Sequence, residues 1–122
     1  MSADNRFLKA VTKLNELTQD KQLKWEKEDD TNSITYGTEN IVDVAYYAVC
    51  GDRRLRLYEL KYRDYPDAPW ETMTVLEFVD SHNKSEWVFP ENPATRHLLE
   101  SVRYNTSKVD DFINELLDDV PR

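Results

Sequence analysis

Apolar residues in this chain recur at spacings of three, four and seven near both ends, and crowd into short β-branched and aromatic runs between Val42 and Phe89. The first pattern predicts amphipathic helices and the second predicts strands. Val42 to Cys50 and Arg53 to Tyr62 flank Gly51-Asp52, where glycine supplies the positive φ of a tight hairpin turn. A two-residue turn sets Cys50 opposite Arg53, Ala48 opposite Leu55 and Tyr46 opposite Leu57. Alternation then places Val44, Tyr46, Ala48, Cys50, Leu55 and Leu57 on one face, expected to be buried. Tyr47, Val49, Arg54, Arg56, Tyr58 and Tyr62 fall on the other, expected to be half wet.

Arg63 to Pro69 holds two prolines, which a central ladder excludes, so it reads as a connection. The next strand, Trp70 to Asp80, is apolar on both faces, with Leu76 and Phe78 on one and Met73, Val75 and Val79 on the other; such a strand is expected to be covered twice. Asp80 to Lys84 is a polar turn, and Ser85 to Phe89 is the last strand, stopped by Pro90.

Phe7, Leu8, Val11, Leu14 and Leu17 form the stripe of an N-terminal helix, with Ser2 or Asp4 as its cap. Leu23 to Lys27 and Ile34 to Tyr36 are short strand candidates, paired as an edge hairpin. Asn92 and Pro93 suit the cap and first position of a helix carrying Leu98, Leu99 and Val102. Ser107 to Asp110 resembles a capping box opening a last helix, whose buried face is Val109, Phe112, Ile113, Leu116 and Leu117. The class is therefore α+β: an antiparallel β-meander of about four to six strands, with an N-terminal helix and two C-terminal helices packed on it.

The 122 residues suit one domain, spanning residues 1–122, and enough core to fold without staples. Cys50 is the only cysteine, so neither an internal disulfide nor a cysteine-based zinc site is available. No apolar run suits a membrane helix or a signal peptide, which points to a cytoplasmic protein without membrane contact. In that setting the sequons at Asn83 and Asn105 are chance matches. The net charge of -8 opposes nucleic acid and favours basic partners or plain solubility. With Gly37 and Gly51 as the only glycines, a glycine-rich phosphate loop is excluded.

Candidate chemistry is sparse. His82, His97 and Cys50 read as structural or solvated residues, since nothing in their spacing assembles a base, an orienting group or a metal ligand set. No catalytic, cofactor or metal residues are assigned, and the balance leans away from an enzyme. Two surfaces remain. One is the hairpin face with Tyr47, Arg54, Arg56, Tyr58 and Tyr62, whose plainer reading is a face laced to carboxylates such as Glu71 or Glu77. The other is the acidic last helix, with Asp110, Asp111, Glu115, Asp118 and Asp119, whose plainer reading is a solvated tail. The preferred reading is a small acidic protein that acts by contact with another protein, as an inhibitor, immunity-type neutraliser or adaptor. The alternatives are a small-molecule-binding domain or enzyme with a pocket between sheet and helices, and nucleic-acid binding through the Arg/Tyr face. Self-association through exposed strand edges is also open.

Overall fold

The computed structural model describes residues 3–118. In chain order the elements are α1 (Ala3–Gln19), β1 (Glu26–Glu28), α2 (Asn32–Thr35), β2 (Ala45–Cys50), β3 (Arg53–Tyr62), β4 (Glu71–Val79), β5 (Ser85–Val88), α3 (Pro93–Thr106) and α4 (Val109–Leu117). The five strands form one antiparallel sheet in sequence order, the meander expected of an α+β chain.

The register follows from the turns. Gly51 sits at φ +64 and pairs Cys50 with Arg53, Ala48 with Leu55 and Tyr46 with Leu57. At the β4–β5 turn, Asp80 Oδ1 accepts from the backbone N–H groups of His82 and Lys84 at 2.8 and 3.0 Å, and Asn83 takes the left-handed conformation.

One face of the sheet carries Tyr46, Ala48, Leu55, Leu57 and Leu76, which pack against Val11 of α1 and Leu98, Leu99 and Val102 of α3. Asn92 caps α3 by accepting from the Ala94 N–H at 2.9 Å, with Pro93 at the first helical position. α1 begins at Ala3, which places Asp4 inside the first turn and not at the cap; Ser2 lies outside the described residues.

The other face departs from the expectation of a half-wet surface. Tyr47, Tyr58, Ala45, Val42, Val75 and Val79 make a second buried cluster, with Ile34, Leu60 and Met73 against it. Its cover comes from the chain between β1 and β2: the Thr31 hydroxyl donates to the Val42 carbonyl, and Ile41 bridges Lys61. This segment is also where the expected edge hairpin fails. Residues 32–35 are one helical turn, and β1 pairs with β2, Glu26 opposite Tyr47. Ile34 has no apolar partner at period two, because Tyr36 is 90% exposed, so nothing holds a strand there. β1 also starts later than expected. Leu23 and Trp25 are buried beside the helices, and the exposed strand begins at Glu26.

The largest departure is α4. No residue of this helix is buried: Phe112, Leu116 and Leu117 are 63, 63 and 74% exposed, and Ile113 is 37% exposed. The capping box does not form either. Ser107 still belongs to α3 as its C-cap, with its N–H donating to the Arg103 carbonyl, so it lacks the extended backbone of an N-cap. Lys108, at φ 56, makes the break and turns the chain into α4.

Candidate functional site

The hairpin residues are mostly spent inside the fold. Tyr47, Arg56 and Tyr58 are buried, and Arg54 and Tyr62 are half-buried. Arg56 Nε donates to Glu77 Oε2 at 2.6 Å and its Nη1 to the Asn83 carbonyl at 2.8 Å. Arg54 Nε donates to Asn83 Oδ1 at 2.8 Å, and its guanidinium lies 4.7 Å from the Tyr47 ring centroid. Burial works against the Arg56 charge, but hydrogen bonds with Tyr47 and Glu77 raise its pKa above the ordinary guanidinium value. Burial, reinforced by the Glu77 carboxylate, holds the Tyr58 phenol well above its ordinary range. The Glu71 charge raises the pKa of the Tyr62 phenol. The neighbouring Arg63 binds Glu39 at 2.9 and 3.2 Å and lies 4.6 Å from the Trp70 ring centroid. The cations that crowd this part of the chain thus face carboxylates, carbonyls and rings of the same molecule.

The acidic helix is arranged differently. Asp110 Oδ1 accepts from the Tyr104 hydroxyl at 2.5 Å, and Asp110 Oδ2 lies 3.5 Å from Lys21 Nζ. The Tyr104 bond, with Lys21 behind it, holds the Asp110 carboxyl below its usual range and lifts the Tyr104 phenol. Asp111, Glu115 and Asp118 are exposed, and Asp119 lies outside the described residues. Val109, Phe112, Ile113, Leu116 and Leu117 share one face of the helix by their three- and four-residue spacing. α4 is therefore tethered through a polar contact at its first turn, while its apolar stripe meets solvent. The amphipathic pattern marks that stripe in the sequence, but the pattern alone does not say what faces it.

Among the grooves that border α4, two are wide and open. One, of about 500 Å³, is lined by Leu23 and Trp25 with Lys21, Lys24, Lys27 and Lys108 around them, closed by Asn105, Thr106 and Asp111. The other, of about 520 Å³, brings His97 and Glu100 beside Tyr104, Asp110, Asn15 and Gln19. Among the described residues no group of three or more His, Cys, Asp or Glu is placed to hold a metal. His82 is exposed in the β4–β5 turn, and Cys50 is half-buried at the end of β2. Among the described residues no helix is long and apolar enough to cross a membrane. Set against known proteins, the chain matches no family model, no curated protein and no solved structure.

Proposed function

We propose that this chain acts by binding another protein, with α4 as the element that makes the contact. The observation that carries this reading is the exposure of Phe112, Ile113, Leu116 and Leu117 on one helix. A contiguous apolar stripe rimmed by polar residues is the usual mark of a docking surface, since a single domain gains nothing by leaving it in water. Short amphipathic helices dock by laying such a stripe into an apolar groove through residues at i, i+3, i+4 and i+7. Asp111, Glu115 and Asp118 lie on the opposite face of the helix by their four- and seven-residue spacing, and their charge favours a basic partner through long-range attraction. An adaptor, inhibitor or immunity-type protein working in the cytoplasm fits this chemistry, and the -8 net charge favours the same class of partner.

The test is affinity capture with the purified chain as bait, alongside Phe112→Ser/Leu116→Ser. Both side chains are exposed, so the variant keeps its fold, which circular dichroism checks. A partner retained by the native chain and lost by the variant supports the reading. A partner retained equally by both moves the contact elsewhere.

A further inference from the structure

We infer that the groove of about 520 Å³ along the seam of α1 and α3 is a binding site for a small molecule carrying primary ammonium groups. The inference goes beyond the protein-binding reading and does not depend on it, since the apolar stripe of α4 takes no part in this groove. Three elements build the lining. His97, Glu100, Ser101 and Tyr104 follow one another at three, four and seven residues and so share one face of α3. Asn15 and Gln19, four apart, add the α1 side, and Asp110 adds the first turn of α4.

Donors in this lining are turned to the fold, while acceptors are left over. The Tyr104 hydroxyl donates to Asp110 Oδ1 at 2.5 Å, and Asn105 Nδ2 donates to the Thr18 carbonyl at 2.6 Å. Each of these side chains keeps an oxygen with lone pairs to spare. Asn15 Oδ1 is buried and has no hydrogen-bond partner among the described residues. Buried acceptors almost always have a donor, so an unpartnered one on a residue that lines a groove points to a donor from outside the chain. The side chains of Gln19, His97, Glu100 and Ser101 likewise have no hydrogen bond or ion pair with the described residues. The charges agree with this. Lys21, 3.5 Å from Asp110, offsets one carboxylate, and Glu100 is left without a counter-charge among the described residues. Among the described residues no lysine or arginine lines the groove. An ammonium group brings three donors and a positive charge to such a surplus of acceptors. An anion would instead meet the like charge of Glu100. The volume falls in the range of small-molecule sites.

The test is proton–nitrogen correlation NMR of the full chain, titrated with putrescine and, in parallel, with the diol of the same chain length, which carries no charge. About 0.15 M salt screens the general attraction of a chain of net charge -8 for any cation. Putrescine is expected to shift the signals of Asn15, Gln19, Ser101 and Asn105 to saturation, and the diol to leave them in place. Glu100→Gln keeps the shape of an exposed side chain and is expected to weaken binding about tenfold or more, the effect of losing a hydrogen bond to a charged acceptor. Asp52→Asn removes the same charge from the β2–β3 turn, where the side chain is fully exposed, and is expected to leave binding unchanged. The inference is overturned by putrescine shifts that are absent, that spread over the acidic surface, that survive Glu100→Gln, or that Asp52→Asn weakens equally. Equal binding of the diol overturns it as well. So does a capped lysine that binds more tightly than putrescine, because it assigns the ammonium to a protein side chain.

Discussion

Arg56 and Glu77 face each other across β3 and β4, with Arg56 Nε 2.6 Å from Glu77 Oε2 and side-chain exposures of 5% and 2%. Removing two charges from water is costly, and their attraction offsets that cost only when further bonds satisfy both groups. Arg56 has such bonds: its Nη1 donates to the Asn83 carbonyl, and its guanidinium lies 5.8 Å from the Tyr58 ring centroid. Glu77→Gln leaves a buried guanidinium without its counter-charge and should cost about 3 kcal/mol or more. The double change Arg56→Met/Glu77→Leu removes both charges and should cost far less than either single change. Urea unfolding monitored by circular dichroism reads both values. Equal losses in the single and double variants would mean that the pair contributes net stability beyond its desolvation.

Thr18 forms a second buried polar join. Its hydroxyl donates to the Leu14 carbonyl at 2.8 Å and accepts the Trp25 indole N–H at 3.0 Å, while its own carbonyl accepts from Asn105 Nδ2 at 2.6 Å. The Trp25 bond fixes the chain leaving α1, and the Asn105 bond ties that turn to α3. Thr18→Val conserves shape but strands the indole donor, and should cost about 1–3 kcal/mol. Adding Trp25→Phe removes the stranded donor and should return part of that loss. Urea midpoints for the two single variants and the double variant close the cycle.

How much of this is legible in the sequence depends on whether the deciding contact is local. The Gly51-Asp52 hairpin, the Asn92-Pro93 helix start and the double-sided β4 are local patterns, and the structure carries all three. The buried state of Tyr47, Arg56 and Tyr58 is not local. It depends on Ile34 and Val42 folding across the sheet, and on Glu77 standing opposite Arg56. The sequence does suggest Glu77 as a carboxylate partner for that face, but not that the pair is dry. The edge hairpin fails because Leu23 and Trp25 serve the core beneath the helices and not a strand. The outward face of α4 is least legible, because an amphipathic pattern reads the same whether the cover is the chain's own core or another molecule.

Two helix ends use lysine where glycine is usual. After α1, Gln22 N–H donates to the Leu17 carbonyl at 2.9 Å and Lys21 N–H to the Thr18 carbonyl at 3.0 Å, a Schellman motif with Lys21 at φ 61. After α3, Lys108 at φ 56 plays the same part. A side chain in this conformation costs about 1–2 kcal/mol that glycine avoids, less what glycine loses through its freer unfolded chain. Lys108→Gly should therefore stabilise by about 0.5 kcal/mol, and Lys108→Val should destabilise by more than that, because a β-branched residue tolerates this backbone least. Thermal unfolding of the three proteins in parallel gives the order directly. A loss of stability in Lys108→Gly would show that the lysine contributes a contact worth more than its backbone costs.

The carboxylates of Asp80, Glu39 and Asp110 contribute to the response of the fold to acid. Backbone N–H groups of Lys84 and His82 hold the Asp80 carboxyl below its usual value, a hydrogen bond from Arg63 does so at Glu39, and one from Tyr104 does so at Asp110. Each folded pKa is depressed, so each group contributes stability that is fully present above the unfolded carboxylate value near 4 and is lost as pH falls through the folded value. Stability from these three groups should hold between neutral pH and about pH 5 and decline below about pH 4. Asp80→Asn keeps an oxygen acceptor in the β4–β5 turn but cannot titrate. It should unfold more easily than the native chain at neutral pH, and the gap should close as pH drops toward about 2, where the native carboxyl is also neutral. Urea midpoints of the two proteins, measured at a series of pH values, provide the comparison. A gap that stays constant down to the lowest pH would assign the effect of the substitution to turn geometry and not to the charge on Asp80.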